Sequence, residues 1–127
     1  MRWLVPLLEE ELSEFIRVSK ELGINLTILF SLFDEGTVEV MDNQTWCSLE
    51  NTDSGQALSV DDVIQISTSY ERDARVLLSA FRAETDMYMP IVLFLETGKT
   101  HLVSGNTRLM ICRALNITPR FFKLQEH

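Results

Sequence analysis

The stretch from residue 90 to residue 124 constrains the fold more than any other part of the chain. Turn signals divide it into short strands, predicted at residues 91–95, 100–103 and 120–124, and one helix, predicted at residues 107–115. Asn116 can cap the end of this helix, and Pro119 prevents its continuation. Strands of this length, joined by turns and a helix, predict a small mixed sheet with flanking helices.

The N-terminal half carries different patterns. Apolar residues recur at three- and four-residue steps from residue 6 to residue 22, with glutamates between them, which predicts an amphipathic helix. A β-branched and aromatic run at 25–33, a turn signal at 34–36 and an alternating run at 37–41 predict a β-hairpin. Residues 43–55 are rich in Asn, Asp, Ser and Thr, so we expect a loop with room for one short strand.

Two further helices complete the predicted fold. Ser59 and Asp62 have the spacing of a capping box and could open a short helix. A longer helix is predicted at about residues 70–83 from the spacing of its apolar side chains. The fold class is therefore a single compact α+β domain. Residues 58–127 form its core, and residues 1–57 are either integral to the domain or an accessory extension.

Length and charge restrict the function classes. A chain of 127 residues with 46% apolar residues is long enough to build one core. The net charge of −8 disfavours DNA and anionic membrane surfaces as partners, because both are polyanions. The charge is uneven: residues 1–85 carry 6 basic and 16 acidic side chains, net −10, whereas residues 86–127 carry 5 and 3, net +2.

The expected compartment is the cytoplasm. No apolar run approaches the roughly 18 to 20 residues of a membrane-spanning helix. The first residues lack the small-residue cleavage signature of a secretion signal. Cys47 and Cys112 stand in neither a zinc-ligand nor a disulfide-framework spacing. These features predict an intracellular protein with reduced thiols and without a membrane anchor.

The run Ser104-Gly105-Asn106-Thr107 separates a predicted strand from a predicted helix. The first N–H groups of a helix lack intrahelical acceptors and point towards whatever precedes the helix. Gly105 allows a positive φ or a close approach to a ligand, and Asn106 or Thr107 could cap the helix. Arg108 could complete a phosphate or carboxylate site that the helix dipole favours. The alternative is a structural corner beside a solvated arginine.

This loop and its setting resemble a known superfamily. Residues 90–124, PIVLFLETGKTHLVSGNTRLMICRALNITPRFFKL, are similar to the segment around the Gly-x-x-Arg motif of the ParB/sulfiredoxin superfamily, above all in small ParB-like proteins encoded by bacteriophages. The shared features are a strand opened by Pro-Ile-Val, a glycine turn, a returning strand with His-Leu-Val, Gly-Asn-x-Arg, an Ala-Leu-rich helix and a strand after proline. In element order the likeness extends over residues 58–124, and it is absent from residues 1–57.

The resemblance implies a nucleotide site. In that superfamily the loop binds the phosphates of CTP or ATP, with Mg²⁺ as the expected companion ion. Carried over, the nucleotide contacts are Ser104, Gly105, Asn106, Thr107 and Arg108. An asparagine stands where sulfiredoxins carry their nucleophilic cysteine, which argues against sulfinic-acid reduction. No helix-turn-helix reader follows the last predicted strand, so centromere binding is not expected.

Other side chains near this segment have two readings each. Superfamily members often place a second basic phosphate contact on the helix before the Pro-Ile-Val strand, which points to Arg75 in preference to Arg72. The alternative for Arg75 is a simple ion pair. His101, on the strand that feeds the loop, could serve as a general base or be an ordinary strand histidine.

No metal site is predicted from the sequence. Asp61, Asp62 and Asp86 could ligate Mg²⁺ only if the fold brought them together, and isolated acids are usually surface groups. Cys112 is predicted to be a core residue. The catalytic residues, if there are any, stay unassigned.

Two functions follow from these observations. The first is nucleotide binding by a ParB/sulfiredoxin-like domain, with NTPase or phosphotransferase activity as the reaction class. The second is a non-enzymatic interaction protein of a phage or mobile element, which binds a host protein through its acidic N-terminal half.

Overall fold

Four strands form the central sheet of the computed structural model, in which residues 1–56 and 59–127 are described. In spatial order they are β2 (Thr37–Val40), β6 (Arg120–Gln125), β4 (Ile91–Phe94) and β5 (Thr100–Ser104). Strand β6 runs antiparallel to β2 and parallel to β4, while β4 and β5 form an antiparallel hairpin. A separate parallel pair joins β1 (Trp3–Leu4) to β3 (Met87–Tyr88). The mixed sheet predicted for the C-terminal strands is confirmed.

Helices cover both faces of the sheet. They are α1 (Leu12–Leu22), α2 (Leu26–Asp34), α3 (Asn43–Ser48), α4 (Val60–Ser69), α5 (Arg75–Arg82) and α6 (Asn106–Ala114). Successive side chains of a strand point to opposite faces. Phe122 of β6 accordingly joins the core cluster of α1 and α2, and Phe121 joins the cluster of α4, α5 and α6. The chain is therefore a single small α+β domain, and residues 1–56 contribute β2, α1 and α2 to it.

Two predicted helix ends, whose signals lie within a few neighbouring residues, are confirmed. Ser59 Oγ accepts from the backbone N–H of Asp62, and Asp62 Oδ2 accepts from the backbone N–H of Ser59, which is the predicted capping box. Asn116 has the left-handed conformation, with φ of 56°, and the next N–H, that of Ile117, bonds to the carbonyl of Cys112 at 2.8 Å. This is the predicted end of α6.

The predicted hairpin over residues 25–41 is wrong. Residues 26–34 form α2 instead, and β2 pairs with β6 rather than with the preceding segment. A short run of apolar residues fits both a strand and a buried helix. Here Leu29 and Leu32 are buried against α1 at a helical spacing, and the Asn25 side chain caps the helix by accepting from the N–H of Thr27 at 2.8 Å.

Three other segments differ from the sequence prediction. Residues 43–48, expected in a loop, form α3, because Asp42 caps it at 2.7 Å and Trp46 is buried. The helix predicted at 70–83 begins only at Arg75, whose N–H bonds to the Asp73 side chain. The N-terminal helix begins at Leu12, after a short 3₁₀ turn.

Candidate functional site

A cleft of about 670 Å³ lies beside the loop that joins β5 to α6. Ser104 to Arg108 form one wall, and one face of α1, together with the preceding Glu10 and Glu11, forms another. Asn51 and Asp53 close the cleft from the segment after α3, while Tyr70 and Arg72 stand on the link between α4 and α5. The structure therefore places the predicted loop on a concave surface, with walls from segments that the sequence did not associate with it.

Gly105 is required at the corner by its conformation and by packing. Its φ of +108° lies in the left-handed region, which residues with a side chain rarely adopt. A Cβ atom at this position would lie 2.7 Å from Pro90 Cβ and 2.8 Å from Pro90 Cα. The close approach that the glycine permits is therefore to Pro90.

The first turn of α6 presents backbone donors at the cleft. The N–H of Leu109 bonds to the carbonyl of Gly105 at 2.9 Å, which is the first helical bond. Within residues 1–56 and 59–127, the preceding N–H groups of Asn106, Thr107 and Arg108 have no acceptor, and no side chain caps the helix. Because these groups carry the positive end of the helix dipole, they form a position that favours an anion.

Arg108 is a largely buried clamp. Its guanidinium donates to the carbonyls of Tyr88 and Met89 at 2.6 and 3.3 Å, and to Ser104 Oγ at 3.0 Å. Only 14% of its side chain is exposed, and Glu11 lies 3.7 Å away. Burial lowers the pKa of Arg108, and the Glu11 carboxylate opposes that shift. The guanidinium predicted to bind phosphate therefore links α6 to the residues just before β4, and one of its edges faces Glu11.

The Asn106 side chain is also committed to the protein. Its Oδ1 accepts from Thr52 Oγ1 at 2.8 Å and from the N–H of Asp53 at 2.9 Å. Its Nδ2 donates to Asp53 Oδ2 at 3.0 Å. A buried bond of 2.7 Å from the Trp46 indole to Ser54 Oγ anchors the same segment. Asn106 thus holds the wall that carries Asp53 in place, so its side chain is engaged within the protein and its backbone N–H is the donor left at the cleft.

The cleft carries more negative than positive side chains among the described residues. Its carboxylates are Glu10, Glu11, Glu14, Glu21 and Asp53, and its arginines are Arg17, Arg72 and Arg108. Arg17 already pairs with Glu14 at 2.7 Å and with Glu21 at 3.0 Å. Arg72 is exposed and has no ion pair in the part of the chain that the structure describes. Arg72 is therefore the guanidinium that is free to meet a ligand.

The remaining predicted residues lie elsewhere. Arg75 is exposed at the start of α5 and does not line the cleft, whereas Arg72 does. His101 packs 3.5 Å from Glu21 and 3.3 Å from Asn51 Nδ2, behind the cleft wall. Cys112 is fully buried, and burial raises the pKa of its thiol to about 12, as expected for a core residue.

The structure does not bring the three candidate Mg²⁺ ligands together. Asp62 belongs to the capping box of α4, and Asp86 pairs with Arg2 at 2.8 Å. Among the residues described, no group of three or more His, Cys, Asp or Glu side chains is arranged to hold a metal ion.

Sequence reasoning missed Glu11, Asp53, Tyr70 and Arg17 as parts of the site. Each reaches the loop through tertiary packing over a long sequence separation, and no local motif marks any of them. The excess of acidic residues in the N-terminal half was the one available signal, but it could not show which of these residues lie at the cleft.

Comparison with protein-family models, with curated proteins and with solved structures found no match to this chain. Over the described residues, no helix combines the length and the apolar character needed to cross a bilayer.

Proposed function

We propose that the chain binds a phosphate-bearing small molecule, a nucleotide in the first place, in the cleft beside α6. The observation that carries the proposal is the set of three N–H groups, from Asn106 to Arg108, that face a cleft of about 670 Å³ without acceptors in the described chain. A cleft of this size is in the range of small-molecule sites. Tyr70 and Arg72, which are exposed and also line the cleft, offer a ring and a cation to the rest of the ligand.

The charge balance of the cleft favours a nucleotide that carries Mg²⁺. Five carboxylates face three arginines, so a free triphosphate would meet net repulsion. Mg²⁺ binds readily to phosphate oxygens with one or two protein carboxylates and several waters. The ion would therefore arrive with ATP or CTP, and Asp53 would supply a carboxylate to it.

The ParB/sulfiredoxin relationship is part of this proposal. The order from β4 to β6, which runs strand, turn, strand, glycine loop, helix and strand, supports it. NTPase and phosphotransferase chemistry are the reactions that the relationship suggests, and neither has an assigned catalytic residue. The proposed location is the cytoplasm, and the free thiols of exposed Cys47 and buried Cys112 support it.

Calorimetric titration with ATP, CTP, GTP and UTP, each with and without Mg²⁺, tests the proposal. Arg72→Ala should weaken binding at least fivefold, because it removes the unpaired cation of the cleft. Arg75→Ala is the matched control, since it makes the same charge change in an exposed arginine outside the cleft. No binding at millimolar nucleotide, or equal losses in both variants, would refute the proposal. A loss in Arg75→Ala alone would restore Arg75 as the second phosphate contact.

A protein partner for the acidic N-terminal half is the second candidate function. Its supporting observation is that exposed apolar residues accompany the net charge of −10 over residues 1–85. Val5, Leu7, Ile28, Val38 and Val40 are each 40% to 55% exposed. Apolar positions among carboxylates are expected on a surface that recognises a basic partner.

A further inference from the structure

The two edge strands of the central sheet differ in whether their outward backbone groups have partners. At one edge the Asn51 side chain covers β5: its Oδ1 accepts from the N–H of Leu102 at 2.6 Å, and its Nδ2 donates to the Leu102 carbonyl at 2.8 Å. Arg17 donates to the carbonyl of Val103 at 3.2 Å, and Leu49 forms a parallel bridge with Thr100. This edge is therefore closed by the protein itself.

The other edge, β2, is open. All four residues from Thr37 to Val40 are exposed, and Val38 and Val40 are 41% and 55% exposed. Exposed backbone at a strand edge is available for pairing with another chain, which natural proteins usually prevent. An open aliphatic edge in a sheet whose opposite edge is closed therefore needs an explanation.

The register shows which backbone groups are free. The N–H of Met41 donates to the carbonyl of Pro119 at 2.9 Å, and β2 pairs with β6 from Val40↔Arg120 to Thr37↔Lys123. In an antiparallel pair of strands, every second residue directs both its N–H and its C=O towards the partner strand. The residues between them direct both groups away from it. Thr37, Glu39 and Met41 therefore face β6. Val38 and Val40 direct their N–H and C=O groups outward, and these groups have no partner in the described chain.

The charged side chains around β2 indicate which kind of partner could pair with this edge. Four carboxylates lie in β2 or within three residues of it, namely Asp34, Glu35, Glu39 and Asp42. Facing them are Arg120 and Lys123 on the neighbouring strand and His127, which lies 2.7 Å from Glu35. Lys123 lies 3.4 Å from Glu39 and neutralises it only in part, since 44% of the Glu39 side chain stays exposed. A second copy of this chain would bring the same carboxylates to the edge, so self-pairing is opposed.

We propose that the β2 edge binds an extended peptide segment of a partner protein, in which aliphatic and basic residues alternate. Opposed residues of paired strands place their side chains on the same face. Aliphatic residues of the segment then contact Val38 and Val40, and basic residues lie on the face of Glu39. The main-chain bonds come from Val38 and Val40, as in other strand additions to a sheet edge. This inference rests on the second candidate function and is independent of the cleft.

Titration of the ¹⁵N-labelled protein with the peptide acetyl-Lys-Val-Lys-Val-Lys-amide, followed by amide NMR, tests the proposal. The amides of Val38 and Val40 should shift most, and acetyl-Glu-Val-Glu-Val-Glu-amide should cause no shift. Val40→Pro removes an outward N–H and leaves the β6 ladder intact, because proline is tolerated at an edge whose N–H faces solvent. It should weaken peptide binding at least tenfold, whereas Val40→Thr, which keeps the N–H and the branched shape, should weaken it less than threefold.

Several results would overturn this inference. One is the absence of shifts at millimolar peptide in a protein with a dispersed spectrum, which would mean that Glu39 and the shortness of β2 only blunt the edge. Another is equal binding by Val40→Pro, and a third is concentration-dependent dimerisation through Val38 and Val40. Nucleotide titration of the same variants reports on the cleft separately, so failure at one surface is distinguishable from failure at the other.

Discussion

The Ser104 hydroxyl donates a hydrogen bond of 2.6 Å to the Glu11 carboxylate, which lies across the loop before α6. The other Glu11 oxygen is 3.7 Å from the Arg108 guanidinium. Carboxylate and phosphate oxygens accept from the same donors. A side chain of the protein therefore occupies donors that a bound phosphate would use, and a ligand must displace it or bind beside it.

Glu11→Gln should strengthen nucleotide binding. Removal of one negative charge beside the phosphate position should contribute about 1 kcal/mol, or roughly fivefold in Kd. The measurement is calorimetric titration with ATP at fixed Mg²⁺. Glu9→Gln is the control, because it makes the same charge change at an exposed residue outside the cleft. Equal effects of the two substitutions would contradict a specific role for Glu11.

Gly105→Ala should destabilise the fold much more than Gly98→Ala. Both glycines have positive φ, at +108° and +90°, so both substitutions carry backbone strain of about 1 to 2 kcal/mol. Only at residue 105 does the new Cβ also meet Pro90, which should bring the total loss to about 3 kcal/mol or more. Urea unfolding of the two variants measures the difference. Equal losses would show that Pro90 moves aside without cost.

Glu84→Gly should stabilise the protein. Glu84 ends α5 in the left-handed conformation, with φ of 56°, and the N–H of Thr85 bonds to the carbonyl of Ala80 at 3.0 Å. Glycine adopts this conformation without the strain of a side chain, so we expect a gain of about 0.5 to 1 kcal/mol. Glu84→Ala removes the same charge and keeps the strain, and it should give no such gain in a thermal unfolding experiment.

His101 should make stability fall at mildly acidic pH. Burial lowers the pKa of His101 below its ordinary value of 6.5, while the Glu21 carboxylate opposes this shift and Arg17 adds to it. As the pH falls, the unfolded chain takes up the proton before the folded chain does. The contribution of His101 to the free energy of unfolding is therefore largest above pH 6.5 and is lost as the pH falls through the lowered folded pKa. Urea unfolding at several pH values between 7.5 and 5 should show this decrease.

His101→Gln should flatten the pH dependence of stability in that range. His127→Gln is the control, because it removes a histidine whose side chain is largely exposed. An unchanged slope in His101→Gln would mean that other groups cause the acid sensitivity.

The parts of the fold that sequence predicted correctly are those with local chemical causes. Ser59 and Asp62 satisfy each other's backbone groups, and Asn116 tolerates a positive φ at the end of α6. The hairpin of β4 and β5 closes at Gly98, whose φ is also positive. Each of these signals involves a few neighbouring residues, so it can be read without knowledge of the rest of the structure.

The errors have a tertiary cause. Residues 25–33 contain apolar side chains at both strand and helix spacings, and only the presence of α1 against Leu29 and Leu32 decides for the helix. The cleft has the same origin, since Glu11 contacts Ser104 and Asp53 contacts Asn106 over sequence separations of 93 and 53 residues. The loop could be located from sequence, but the side chains that face it could not.

The position of β6 between β2 and β4 has a consequence for folding. Strand β2 obtains its hydrogen-bonded neighbour from a segment far along the chain, while β4 and β5 pair locally. Contacts between distant segments form slowly, because a long loop must close before they contribute stability. The hairpin should therefore become protected from hydrogen exchange early, and the amides of Glu39 and Met41, which face β6, should stay accessible until β6 enters the sheet.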